Sequence, residues 1–96
     1  MNQLVVVGRL TVEPTKFDES LFLFSISVPR PYKNDKGEYE TDNIKCLMTN
    51  TMEENLTRYV NLGDIIGIKG HIEVKNDTNY VFAEKMTFLG KKEEEK

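Results

Sequence analysis

The sequence lacks most of the residues from which catalytic and metal centres are built. It has one cysteine, Cys46, one histidine, His71, and no tryptophan. A single cysteine excludes an internal disulfide and a paired-cysteine metal site, and a single histidine excludes a multi-histidine metal site. No glycine-rich loop opens a helix, as a phosphate-cradling loop would. We therefore expect no cofactor, no metal and no enzymatic activity.

An excess of charge of either sign is also missing. Charged residues make up 30% of the 96 residues, and the net charge is −3. The last six residues, 91–96, carry three charges of each sign and are predicted to form a solvated tail, so the domain over 1–90 has 10 basic and 13 acidic side chains. This mild acidity is not the clustered positive charge that is typical of nucleic-acid-binding domains, although local clustering matters more than the total.

Long apolar runs are absent as well. No stretch approaches the roughly 20 residues of a membrane span, and the N-terminus lacks the basic and apolar segments of a signal peptide. The sequence therefore predicts one soluble, cytoplasmic domain that makes no membrane contact. Its apolar content is modest, so oligomerisation would add to its stability.

Three stretches of the first half alternate as strands do. They run from Leu4 to Val12, where Glu13-Pro14 ends the strand, from Leu21 to Val28, and from Tyr39 to Thr49. The period of two predicts a core-facing set in the second and third strands: Phe22, Phe24, Ile26, Val28, Ile44, Cys46 and Met48. The opposite face of the third strand carries Asn43, Lys45, Leu47 and Thr49.

A short helix and two further strands follow. Thr51 and Glu54 have the spacing of a capping box, and Gly63 supplies a left-handed residue to end the helix. The helix presents Met52, Leu56, Tyr59 and Val60 on one side. Strands are predicted from Asp64 to Val74 and from Tyr80 to Leu89, joined by a turn at Asn76-Asp77. Five strands with bending glycines and a helix between the third and fourth indicate an all-β, partly open five-stranded barrel.

The polar hairpin between the second and third strands carries the first functional signal. Tyr32 lies there among Arg30, Lys33 and Lys36. Exposed rings stack on bases and cations pair with phosphates, so this combination suits single-stranded nucleic acid. The alternative is that Tyr32 packs over the base of the hairpin.

Nearly all of residues 1–89 resembles the bacterial and phage single-stranded DNA-binding protein family, which has the OB-fold. The resemblance rests on the order and spacing of several short pieces. They are Asn2 with Val-Val-Val-Gly-Arg-Leu-Thr to Pro14, Phe24-Ser-Ile-Ser-Val with Arg30, Lys36-Gly37-Glu38, Ile44-Lys45-Cys46, Glu54-Asn55, and Tyr59-Val60-Asn61-Leu62-Gly63-Asp64 with Gly70. The resemblance implies a Greek-key OB-fold barrel over residues 1–90 that binds single-stranded DNA without sequence preference in replication, recombination or repair.

The resemblance also implies a set of DNA-binding residues. By the resemblance, Tyr32 stacks on a base, and phosphates are held by Arg30, Lys33, Lys36 and Lys45. Four further candidates come from their own positions: Arg9 on the first strand, Lys69 and Lys75 on the outward face of the fourth, and Tyr80, beside the short turn, as a replacement ring. Two stacking positions of the family are occupied by Asn43 and Thr49, and the hairpin after Val74 is short. Arg9 could equally be a solvated strand charge.

Several other residues have structural interpretations. Cys46 is expected in the core, His71 on a strand near a subunit surface, and Asp64 in a turn, while Tyr39, Phe82 and Phe17 are expected to pack. None of them is expected to catalyse a reaction.

The family pairs subunits through the N-terminal strand, here Met1 to Val7, so we expect a homodimer or homotetramer. Cellular members end in an acidic tip that recruits replication proteins, whereas this sequence ends at Lys96, which favours a phage or mobile-element member. The implied partner is single-stranded DNA, with RNA as an alternative. A different function is a protein-interaction barrel that binds a replication partner, and an oligosaccharide-binding barrel is a third.

Overall fold

Five strands and one helix make up the structure, a computed structural model that describes residues 1–92. The elements are β1 (Leu4–Lys16), β2 (Leu21–Lys33), β3 (Tyr39–Thr49), α1 (Asn50–Tyr59), β4 (Ile65–Lys75) and β5 (Thr78–Gly90). The strands form a closed barrel in the order β1-β2-β3-β5-β4. Neighbours are antiparallel except β3 and β5, whose short parallel pairing at Cys46–Val81 and Leu47–Phe82 closes a barrel that we predicted to be partly open.

The predicted core faces of β2 and β3 are confirmed. Phe24, Ile26, Cys46 and Met48 have no exposed surface, and the other three members of the predicted set pack against the same cluster. The remaining strands and the helix contribute Leu10, Leu56, Ile66, Ile68, Val81 and Ala83. The barrel interior is thus filled with side chains, as expected for a barrel of this size.

Two strands run further than the sequence predicts. β1 does not end at Glu13-Pro14 but continues to Lys16, with register shifts on both sides of Val12. Pro14 lies within the second shift, where the ladder is already interrupted and the missing proline N–H costs no hydrogen bond. β2 passes beyond Val28 to Lys33 in the same way, because its two prolines fall at or beside a bulge.

The helix begins earlier than its predicted cap. Thr49 is the N-cap, and its hydroxyl oxygen accepts from the Met52 N–H at 3.4 Å, so the Thr51–Glu54 capping box is wrong. Leu56 is buried, but Tyr59 is exposed despite its place on the predicted apolar side. Gly63 has the expected positive φ of 90°, yet it lies in the turn after the helix rather than at its end.

The turn at Asn76-Asp77 is confirmed, since both residues have positive φ and join β4 directly to β5. Within the described residues, no helix is long and apolar enough to cross a membrane. Of the predicted tail, Lys91 and Lys92 are exposed, and residues 93–96 lie outside the described part of the chain.

Candidate nucleic-acid interface

Strands β2 and β3 continue past the barrel as a two-stranded ribbon over residues 28–43, here called the arm. From Val28 onwards β2 pairs only with β3. Pro29 pairs with Thr41 and Lys33 with Tyr39, so three residues of β2 stand opposite one of β3. This bulge displays residues 30–32, and such bulges re-aim side chains next to binding sites.

Arg30 is held inside the arm by two carboxylates. Its guanidinium donates to both Asp42 oxygens, at 3.0 and 2.9 Å, and to Glu40 Oε2 at 2.8 Å. The hydrogen bond to Asp42 raises the pKa of Arg30, and the same bond lowers the pKa of Asp42. The residue predicted to bind phosphate is therefore already engaged by the arm's own acids.

Tyr32 and the arm lysines remain available. The Tyr32 ring is 60% exposed, and Lys36 is exposed in the closing loop, which Asn34 orders by accepting from the Lys36 N–H. Lys33 Nζ lies 5.7 Å from the centre of the Tyr39 ring, a cation–π distance. Tyr39 therefore packs under Lys33 rather than into a core.

The outer face of the barrel continues from the arm along β2 and β3. Lys45 is exposed and stands opposite Ser25, while Asn43 stands opposite Ser27. As predicted, Lys45 points away from the core, since Cys46 beside it is fully buried. Among residues 1–92, no salt bridge involves Lys33, Lys36 or Lys45.

Charge along this region is balanced. From Arg30 to Lys45 there are four basic and four acidic residues. The local clustering of positive charge that the sequence left open is therefore weak, and it consists of lysines that the acids do not contact.

Leu47 is the residue whose environment the sequence missed. It lies on the outer face with Lys45, yet it has no exposed surface. Its register partners are Leu23 on β2 and Phe82 on β5, both partly buried. Tyr80, two residues before Phe82, packs edge-on against Phe17 with ring centres 5.5 Å apart. These five side chains form an apolar group outside the barrel, and Tyr80 is part of that packing.

His71 lies next to this group and bridges two carboxylates. Its ring stacks on Phe82 at 5.3 Å, its Nε2 lies 2.6 Å from Glu73, and its Nδ1 lies 2.8 Å from Glu84. We call His71, Glu73 and Glu84 the histidine cluster. Hydrogen bonds to both carboxylates raise the pKa of His71. The alternation of β4 places Glu73 on the same face as His71 and could have suggested that contact, whereas Glu84 depends on the β4–β5 register.

The remaining candidate residues are dispersed. Lys75 Nζ lies 3.6 Å from Glu73, and Arg9 donates to the Gly63 carbonyl oxygen at 2.9 Å. Lys69 is exposed on β4, and its register partners are Val5 on β1 and Lys85 on β5. The structure thus brings together Tyr32, Lys33, Lys36 and Lys45 along the arm and outer face, and places Lys69, Lys75 and Tyr80 on β4 and β5.

The interior groups are structural. Burial raises the pKa of the Cys46 thiol to about 12, as expected for a core cysteine. Asp64 is buried in the turn before β4, where its carboxylate accepts from the backbone N–H groups of Asn61 and Lys92. Within the described residues, no group of three histidine, cysteine or acidic side chains could hold a metal ion.

Comparison with known proteins gives close relatives of the sequence. Single-stranded DNA-binding protein 1 of Lactococcus lactis is 37% identical over 83 residues, which cover 82% of this chain and 55% of that protein. Single-stranded DNA-binding protein 3 of Listeria innocua is 35% identical over 80 residues, which cover 79% and 50%. This chain spans about half the length of these relatives.

Solved structures show the same fold at low sequence identity. The N-terminal domain of PriB from Thermoanaerobacter tencongensis, described as dimeric, has a TM-score of 0.75 at 20% identity, with 94% of this chain and 98% of that chain covered. A small single-stranded DNA-binding protein from Streptomyces coelicolor has a TM-score of 0.71 at 16% identity, with 93% and 95% covered. The barrel is therefore an OB-fold. Because the family model described as "Single-strand binding protein family" matches residues 1–88, the chain belongs to that family.

Proposed function

We propose that this chain binds single-stranded DNA without sequence preference, in replication or recombination. The observation that carries the proposal is the arm, on which the exposed Tyr32 ring lies beside Lys33 and Lys36 on a barrel of this family. Lys45 extends the same surface onto the barrel. An aromatic ring can stack on any base, and lysines can follow the phosphates whatever the sequence.

The same surface predicts weak binding. Asn43 and Thr49 supply no rings, and Arg30 is paired with acids. If three lysines each neutralise one phosphate, the slope of log K against log salt is about −2, from roughly −0.7 per phosphate on a single strand.

Fluorescence anisotropy of labelled oligo-dT tests this function. Titration at about 20 mM and at about 200 mM salt should give saturable binding that weakens by roughly 100-fold between the two. Double-stranded competitor should displace the label only at great excess, and an oligo-U competitor measures the RNA alternative. No binding at the lower salt concentration would refute the proposal.

The alternative function, a protein-interaction barrel, is supported by a separate observation. Val5 and Val7 on β1 and Leu89 on β5 are exposed apolar side chains, and Leu89 and Val7 both lie over Gly67. Such a patch is typical of an interface. A stoichiometric protein partner recovered from nuclease-treated extract, without oligo-dT binding, would favour this function.

For the same patch we propose a second copy of this chain as the partner, in a homodimer or homotetramer formed through β1. This proposal gives the outward side chains of the N-terminal strand the cover that they lack in one copy, since Leu4 and Val6 already face the core. A phage or mobile-element origin remains a prediction from the sequence.

A further inference from the structure

The histidine cluster places an unusual charge arrangement on β4 and β5. Both ring nitrogens of His71 lie within hydrogen-bond distance of a carboxylate, Glu73 at 2.6 Å and Glu84 at 2.8 Å. Neutral imidazole has one N–H donor, while the imidazolium has two. A carboxylate can only accept, so both contacts are hydrogen bonds only when His71 carries its proton. Stacking on Phe82 adds a favourable contact for that cation.

Other charged groups around the cluster come from β4, from β5 and from the chain that precedes β1. On β4, Lys75 lies 3.6 Å from Glu73, and Lys69 precedes the bulge before Gly70. On β5, Lys85 follows Glu84 and stands opposite Lys69. On the chain preceding β1, the Asn2 side chain exchanges two hydrogen bonds with the Ile72 backbone, which brings the Met1 amine to the same end of β4.

The cluster adjoins the surface proposed to bind DNA. Leu47 on β3 stands opposite Phe82 on β5, and Phe82 stands opposite His71 on β4. Two strand spacings separate His71 from β3, or about 10 Å. Lys45 is two residues from Leu47 on the same face of β3. A strand that crosses the outer face from Lys45 therefore passes within electrostatic range of the cluster at low salt.

We propose that the histidine cluster is a proton-dependent gate on the affinity of this chain for single-stranded DNA. With His71 protonated, the cluster carries a net charge of −1, and the carboxylates face the imidazolium. Loss of the proton lowers the net charge of the cluster to −2, with Lys75 still 3.6 Å from Glu73, and the added negative charge repels the phosphates. The inference rests on the proposed DNA-binding function and adds a residue, His71, that acts by masking Glu73 and Glu84 rather than by touching DNA.

The direction in which DNA affinity changes with pH follows from the folded protein, which favours the protonated form of His71. The cluster stabilises the fold fully below the ordinary histidine pKa, about 6.5, and this stabilisation is lost as the pH rises through the raised pKa. DNA affinity should decrease over the same interval. By linkage, bound DNA should raise the pKa of His71 further.

Anisotropy with oligo-dT at about 20 mM salt tests the gate over a pH series that starts at about pH 6, below the ordinary pKa of the single histidine, and rises to about pH 8.5. We expect the wild type to bind about twofold more weakly at the higher pH, the effect of one unit charge about 10 Å from a phosphate in water. His71→Gln should bind as weakly at the lower pH as the wild type does at the higher one. Glu73→Gln/Glu84→Gln should bind more tightly than the wild type at the higher pH.

Two controls isolate the cluster. Glu54→Gln, on an exposed position of α1, removes one negative charge elsewhere and should leave the pH dependence unchanged. His71→Gln keeps every other charged group of the chain, so any pH dependence that it retains comes from groups outside the cluster. If the affinity of His71→Gln falls with pH as much as that of the wild type does, a group other than His71 accounts for the effect and the gate is wrong.

Proton NMR of the single histidine gives a test that needs no variant. A twofold change in affinity requires the pKa of His71 to rise by about 0.3 on saturation with oligo-dT, and an unchanged pKa would refute the gate. If neither the wild type nor Glu73→Gln/Glu84→Gln binds oligo-dT at either pH, the DNA-binding function itself is refuted and the gate with it. Binding without a difference between the variants refutes the gate alone.

Discussion

The Tyr32 ring is 60% exposed in the bulge of the arm, where it follows Pro31 and precedes Lys33. Stacking on a base is worth roughly 1–3 kcal/mol, so Tyr32→Ala should weaken oligo-dT binding by about 5- to 150-fold. The salt slope should not change, because no charge is lost. Tyr32→Phe should keep the affinity, and Tyr59→Ala, at a more exposed tyrosine on α1, serves as the matched control. Equal affinities for Tyr32→Ala and the wild type would show that the ring does not stack.

The pairing of Arg30 leads to a second prediction for the arm. In Glu40→Gln/Asp42→Asn the guanidinium loses both carboxylate partners, and the arm gains two units of net positive charge. Oligo-dT should then bind more tightly, and the salt slope should steepen by about 0.7 if Arg30 takes up one phosphate. Anisotropy over a salt series measures both quantities. Weaker binding with an unchanged slope would show that the ion pairs are needed to hold the arm in its binding shape.

These residues show how far the sequence could predict the site. The composition of the arm predicted Tyr32 and the lysines as binding residues, and their exposure agrees with that prediction, while their contact with DNA stays a prediction. It could not show that Arg30 is paired, since the bulge at residues 30–32 sets which acids it meets. It also could not show the histidine cluster, because His71 and Glu84 lie 13 residues apart in the chain and meet only through the register of β4 and β5.

Among the elements, the β4–β5 ladder depends on a glycine at its bulge. A Cβ on Gly70 would lie 2.0 Å from the Phe82 carbonyl oxygen, a backbone atom that cannot rotate away. We expect Gly70→Ala to lower the free energy of unfolding by roughly 3 kcal/mol, the upper end of usual overpacking costs. Urea denaturation measures this change. Gly37→Ala is the control, since it meets no atom within 4 Å and costs only about 1–2 kcal/mol for its positive φ.

The turn before β4 predicts an acid-dependent stability. Asp64 is buried and accepts from two backbone N–H groups, which lower its pKa. Its stabilisation is therefore present above the ordinary aspartate pKa, about 3.9, and is lost as the pH falls through the lower folded-state value. Asp64→Asn should reduce Tm at neutral pH and narrow the difference between neutral and acidic Tm. A thermal melt series checks this, and equal Tm values at neutral pH would contradict it.

The elements were largely predictable because the alternation of β2 and β3 is strict and the turn residues are distinctive. The residues at which the elements begin and end were less predictable. Both Thr49 and Thr51 have a hydroxyl that can cap a helix. Which of them is the N-cap depends on the residue at which β3 ends. Leu47 has the position of an exposed residue by alternation, and only the packing of Phe82 and Leu23 beside it makes the outer face apolar at that point.

In the whole molecule, the arm and the exposed apolar patch on β1 and β5 lie on different parts of the barrel. The arm extends from β2 and β3, while Val5, Val7 and Leu89 lie where β1, β4 and β5 meet. Assembly through the patch would therefore leave the arms of each copy free. Several linked arms would bind a long strand more tightly than one arm does, because binding of the second becomes intramolecular.

The final prediction concerns this assembly. Sedimentation at micromolar concentration should give the mass of a dimer or tetramer for the wild type. Val5→Glu/Val7→Glu should give a monomer, because facing glutamates would bury unpaired charge in the interface. Val12→Glu, at a comparably exposed valine of β1, should leave the mass unchanged. The monomer should bind a short oligo-dT as the wild type does but lose affinity for a long one. A monomeric wild type would show that the patch on β1 serves a different partner.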